Sequence, residues 1–141
     1  MLLTLALALV LQAPSQPPAW SATTLEAAAT DANKQVLAEG KPLTVTGEVV
    51  DVSCYTQLGK RGPAHKACGA KCVANGEPAG LLTADGTLYI LLPEPHHPRR
   101  DGQASIAKEF SEKMGDTVTL SGMATDHGGI HTLFIKPSPR R

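Results

Sequence analysis

Five short runs of Val, Ile, Leu and Thr, three ahead of one amphipathic segment and two behind it, constrain this chain more than any other feature. The first, LTVTGEVVDVSCY at 43–55, nearly alternates apolar and polar residues, which predicts a half-buried strand. Gly47 inside it predicts a bulge or sharp coil. PAGLLT and TLYILL flank Ala84-Asp85-Gly86, a hairpin signal with glycine at the turn. QASIAKEFSEK at 103–113 is helical by the spacing of Ile106, Ala107 and Phe110, and ends near Gly115. DTVTLSGMAT and IHTLFIKP are the last two strands, around Asp126-His127-Gly128-Gly129.

Three strands, a helix and two strands, with a glycine-interrupted first strand, is the order of a small five-stranded OB-type barrel. The fold class is therefore mainly β with inserted helices. An open antiparallel sheet with helices on one face is the other architecture that the pattern allows. One departure stands out: an extra helix is predicted between the first and second strands. Gly62-Pro63 opens it, with proline at the first turn where its missing N–H costs nothing, and Asn75-Gly76 supplies a left-handed stop.

Ahead of the barrel, MLLTLALALVLQ at 1–12 is an apolar run followed by the Pro-rich APSQPPAWSA. It reads as a signal peptide over 1–21, although no Lys or Arg precedes the run. A membrane-spanning helix needs about 20 apolar residues, so no span is expected after cleavage. Residues 22–42 read as a helical leader, opened by the capping box Thr23-x-x-Glu26 and closed by Gly40 and Pro42. An OB-like domain over 43–137 and a tail at 138–141 complete the organisation. The chain has 13 basic and 13 acidic residues, none of them in 1–21, so removing the leader peptide leaves the net charge at zero. Neither nucleic acid nor an acidic membrane surface is an expected partner. One Trp, two Tyr and two Phe are too few for a base-stacking platform. A protein partner is left open.

Three cysteines cannot all be consumed by disulfides, which take them in pairs. His65, Cys68 and Cys72 stand at i, i+3 and i+7 of the inserted helix, on one face. Cys54 lies at the end of the first predicted strand, and the loop from Thr56 to Arg61 is long enough to bring the helix back over it. Cys54, His65, Cys68 and Cys72 then form a Cys3His ligand set, suited to zinc or to Cu(I). Asp51 and Glu48 are either acceptors that orient His65 or part of a solvated strand face. Tyr55 is a core or rim aromatic.

Two other readings compete. A disulfide from Cys54 to Cys68 or Cys72 closes a loop of about 15 residues, worth roughly 3 kcal/mol. It would staple an OB-like adaptor for a protein or glycan. A thiol oxidoreductase would use Cys68 or Cys72 as the attacking thiolate, though both sit too late in the helix to gain much from its dipole. Elsewhere, His96 and His97 fall in the Pro-rich loop PEPHHPRRDG, and His127 and His131 flank a Gly-Gly turn; both pairs read as surface residues. Met114 and Met123 are too few for a methionine-rich copper site. No nucleophile elbow, phosphate loop, dinucleotide fingerprint or His-Glu-x-x-His is present. A catalytic zinc keeps an open coordination position, and here four protein donors are supplied, which points away from an enzyme.

Together, Val45-Thr46-Gly47-Glu48-Val49-Val50-Asp51, Cys54-Tyr55, His65-x2-Cys68-x3-Cys72, Gly76-x-Pro78-x-Gly80 and Asp85-Gly86-x-x-Tyr89 resemble a family of small exported bacterial proteins of uncharacterised function. The resemblance covers residues 43 to 136 and implies an OB-like fold and a location in the periplasm or outside the cell. It implies no reaction and no partner.

Overall fold

Alternation in the first strand decides how the sheet closes. The computed structural model of the chain describes residues 16–95 and 105–138; the apolar run at 1–12, His96, His97 and the tail from 139 onward lie outside them. Strand β1 (Lys41–Asp51) turns Val45, Gly47 and Val49 inward and leaves Thr44 and Thr46 outside, where their hydroxyls bond Ser121 and Thr119, each at 2.7 Å. With β2 (Ala79–Leu82), β3 (Leu88–Pro93), β4 (Thr117–His127) and β5 (Ile130–Ile135) it forms a closed barrel in the order β1-β2-β3-β5-β4. All pairings are antiparallel except β3 with β5. This is the OB-like mixed barrel that the strand order predicts.

β1 has two partners. Lys41 to Glu48 pair with β4, and Glu48 to Asp51 pair with β2. Gly47 stands at the switch, and its role is closeness, not a bulge: the strand runs unbroken through it. A Cβ there would lie 2.6 Å from the Leu82 carbonyl oxygen and 2.8 Å from its carbon. Gly47→Ala is therefore expected to force β1 and β2 apart at a cost of about 1–3 kcal/mol. Thermal unfolding checks this, and a midpoint equal to that of the parent chain would contradict the close approach.

The barrel interior is filled by Val45, Val49, Leu81, Leu91, Leu133 and Ile135. One end is plugged by helix α5 (Ala107–Glu112), through Ile106, Phe110 and Met114, which meet Val73 of the inserted helix α4 (Lys66–Ala74). Gly76, at φ 108, ends the inserted segment as its sequence predicts. The hairpin glycine, Gly86, has φ 90.

Two predicted elements are redrawn. The strand read over 43–55 stops at Asp51, and Val52–Leu58 is a helix, α3. The leader is two helices, α1 (Ala22–Ala27) and α2 (Asp31–Glu39). Ser21 caps the first, and the capping box sits at Thr30 and Asn33, not at Thr23 and Glu26. The leader is anchored on the barrel: the Trp20 ring meets Phe134 edge-on at 5.2 Å and its Nε1 donates to the Leu37 carbonyl at 2.9 Å. No described helix is long and apolar enough to cross a membrane.

Candidate metal centre

Among the described residues, Asp51 is the acidic side chain with 0% exposure. Such a carboxylate needs partners, and its own chain direction supplies some. Asp51 ends β1 and caps α3: its Oδ1 accepts the N–H groups of Ser53 at 3.0 Å and Cys54 at 3.4 Å. That cap starts the helix, and Gly59, at φ 65, stops it. Cys54 thus stands in the first turn of a helix, not at a strand end. The other oxygen, Oδ2, has no hydrogen-bond partner.

His65 reaches the same place from the far side of the insertion. The Glu48 carboxylate accepts the Gly62 N–H, and Gly62, at φ 73, turns the chain into a 3-10 turn, Pro63–His65, that carries the imidazole inward. Gly69, one turn further on, leaves room for the ring: a Cβ there would lie 3.3 Å from His65 Cδ2 and 3.0 Å from Met114 Sδ. His65 is 6% exposed, and its Nε2 is a second buried polar atom without a hydrogen-bond partner. It lies 3.9 Å from Asp51 Oδ2, beyond hydrogen-bond length. Ligand atoms of Asp51, Cys54 and His65 all lie within 4.8 Å of one another. Each buried unbonded polar atom costs about 1–3 kcal/mol, and a cation between these groups would satisfy the donors together. The cluster can hold a metal ion.

The other two cysteines are placed unequally. Cys72 is half-buried beside the cluster, within reach of both Asp51 and Cys54, whereas Cys68 is exposed. Burial pushes the Cys72 thiol up to about 11, helped by the Asp51 carboxylate as acceptor and by the charges of Asp51, Cys68 and Cys54. Cys54 is also raised, first by the Asp51 carboxylate as acceptor, then by burial and by the charges of Asp51 and Cys68, while contact with Cys72 pulls the other way. Thiols are weak donors, and these contacts leave Asp51 Oδ2 short of a hydrogen bond of good geometry. All three cysteines are free thiols.

The register differs from the predicted one in an instructive way. His65, Gly69 and Val73, spaced by four, are the buried stripe of the insertion, so Cys72 lies on its flank and Cys68 at its outer edge. Of the two carboxylates considered as orienters of His65, Asp51 faces the imidazole directly and Glu48 positions the turn that bears it. Asp51 as a donor in its own right is the site residue that the sequence reading misses, because a carboxylate in a Val-rich strand carries no mark of its burial. His127 bonds Glu39 at 3.0 Å and His131 lies 3.5 Å from Asp126, both far from the cluster in the fold and exposed. Comparison with protein-family models, with curated proteins and with solved structures finds no match to the chain.

Proposed function

We propose that this is an exported, non-enzymatic protein that binds one zinc ion at the Asp51–Cys54–His65 cluster, with Cys72 completing the coordination. The observation that carries the reading is the pair of buried, unbonded atoms, Asp51 Oδ2 and His65 Nε2, facing each other at 3.9 Å beside a thiol. A carboxylate oxygen among sulfur and nitrogen donors suits zinc; Cu(I) prefers a wholly soft set. With four protein donors no position is left for a reacting water, so the ion's role is to tie α3 and the His65 turn to the end of β1, coupling metal binding to folding. Cys68 belongs to the Cys3His set read from the sequence, and in this proposal it is the exposed rim of the site. Export rests on the apolar run at 1–12, and membership in the family of exported OB-like proteins on the residues that carry the resemblance.

Elemental analysis of protein purified from its native compartment tests the reading. One zinc per chain is expected, and cobalt exchanged for it should give thiolate-to-metal absorption that Cys72→Ser weakens and Cys68→Ser preserves. Absence of bound transition metal would overturn the proposal. The contact between Cys54 and Cys72 favours a second reading in that event, a barrel stapled by a Cys54–Cys72 disulfide, which non-reducing peptide mapping would find.

A further inference from the structure

The donors around the metal cluster are graded from solvent to interior. Cys68 is exposed, Cys72 and Cys54 are half-buried, and behind them His65 is 6% and Asp51 0% exposed. The two innermost side chains end in the atoms that lack a hydrogen-bond partner, His65 Nε2 and Asp51 Oδ2, so the unmet demand for a cation lies at the deep end of the series. An ion arriving from water meets the sulfurs first.

The series is continuous. Cys68 and Cys72 stand one turn apart on α4, a spacing that sets their Cβ atoms about 5–6 Å from each other. Cys72 in turn contacts Cys54, and the charge of Cys68 is felt at both. Packing gives no account of Cys68: α4 fills its buried positions with Gly69 and Val73, and the exposed thiol takes no part in the core. Nor is it needed as a lasting ligand, because four donors already stand at or beside the cluster. What its place does offer is a soft zinc donor at the surface, one step from the site.

We infer, on the footing of the zinc site proposed above, that Cys68 is its exchange ligand: zinc enters and leaves through this sulfur, which binds the ion in passing and hands it to or takes it from Cys72. On the way out the ion gains Cys68 as a fifth ligand, which zinc can hold briefly, and then loosens from the buried donors. A soluble chelating molecule that reaches the surface of α4 takes it from there. Each step swaps one ligand for another. The Cys68 thiol gives its proton to the buffer when it binds the ion and regains one when the acceptor takes the ion away. Zinc stays divalent throughout, so no oxidant or reductant is consumed.

Transfer of zinc from the loaded chain to excess pyridylazoresorcinol, followed by the colour of the chelate, tests the route. The rate is expected to rise with chelator concentration, as direct exchange at an accessible ligand requires. Cys68→Ser changes an exposed position and is expected to fold, as circular dichroism would verify, and to bind zinc within about twofold of the parent affinity. It should nevertheless release the ion at least about tenfold more slowly, a barrier higher by about 1.4 kcal/mol. Lys71→Ser, at an exposed neighbouring position on α4, should release zinc at the parent rate. A parent chain that binds no zinc would overturn the zinc site and this route together. With zinc bound, four results would overturn the route alone: a rate blind to chelator concentration, equally fast release from folded Cys68→Ser, equal slowing in Lys71→Ser, or an affinity of Cys68→Ser lowered about tenfold, which would make Cys68 a lasting ligand.

Discussion

If the cluster holds zinc as proposed, removing the ion is expected to lower the midpoint of thermal unfolding by roughly 10–20 °C. An ion present at a hundred times its dissociation constant and bound to the folded state alone adds about 2.7 kcal/mol. For a domain of this size each kcal/mol moves the midpoint by about 4–8 °C. The effect has a defined pH dependence. The Cys54 and Cys72 thiols are both raised, Cys72 to about 11, so both carry protons at neutral pH and must release them to ligate a metal. Protons therefore compete with zinc: its affinity, and the stability it adds, rise with pH toward the range of the raised thiols and fall away in acid. Calorimetric scans with and without a strong chelator, repeated at several pH values, check both points. His65→Ala should abolish the chelator-sensitive part of the stability. A parent chain indifferent to chelator at every pH would remove zinc from its folding.

Phe110→Ala is expected to cost about 3–5 kcal/mol in an equilibrium denaturant titration, the usual range for emptying a fully buried phenylalanine site. Phe110 is 0% exposed and projects from α5 into the cluster that joins Val73 of α4 to the barrel core. The loss should also reach the metal centre, because Met114, on the same plug, lies against Gly69 beside the imidazole. Affinity for the proposed zinc ion is thus expected to fall in Phe110→Ala along with stability. A variant that unfolds within about 1 kcal/mol of the parent would show that the plug carries less of the core than its burial implies.

The barrel was legible from the chain because period-two patterning, hairpin glycine and strand order all agreed. Residues 79–82, 88–93 and 117–127 fall close to the predicted runs. What alternation does not reveal are local competitions. Val52, Ser53, Cys54 and Tyr55 continue a β-favouring composition, yet Asp51 captures the next amides and starts a helix, a tertiary economy invisible to alternation. In the leader, Ser21 caps the first helix in place of Thr23, and the capping box of Thr30 with Asn33 starts a second, so one expected helix becomes two. The site was legible in its chemistry more than in its register. Cys54 and His65 meet, as expected from the loop that joins them. The spacing 65, 68, 72 says which side chains neighbour one another on a helix, but not how deep that face lies, and depth here is set by Gly69 and Val73. The Asp51 oxygen, a full member of the cluster, reads from the sequence only as an orienter, because nothing in a single sequence distinguishes a buried strand-end carboxylate from a solvated one.

The two-partner strand has a consequence for how the protein comes apart. β1 is the seam of the cylinder, and its final residue is Asp51, so the last rung that zips β1 onto β2 is also the residue that faces His65. Unzipping from that end frees the strand terminus that carries the carboxylate and loosens its hold on the imidazole. Opening of the sheet and dispersal of the donor cluster thus start at the same residue, and whatever clasps those donors also holds that corner of the wall.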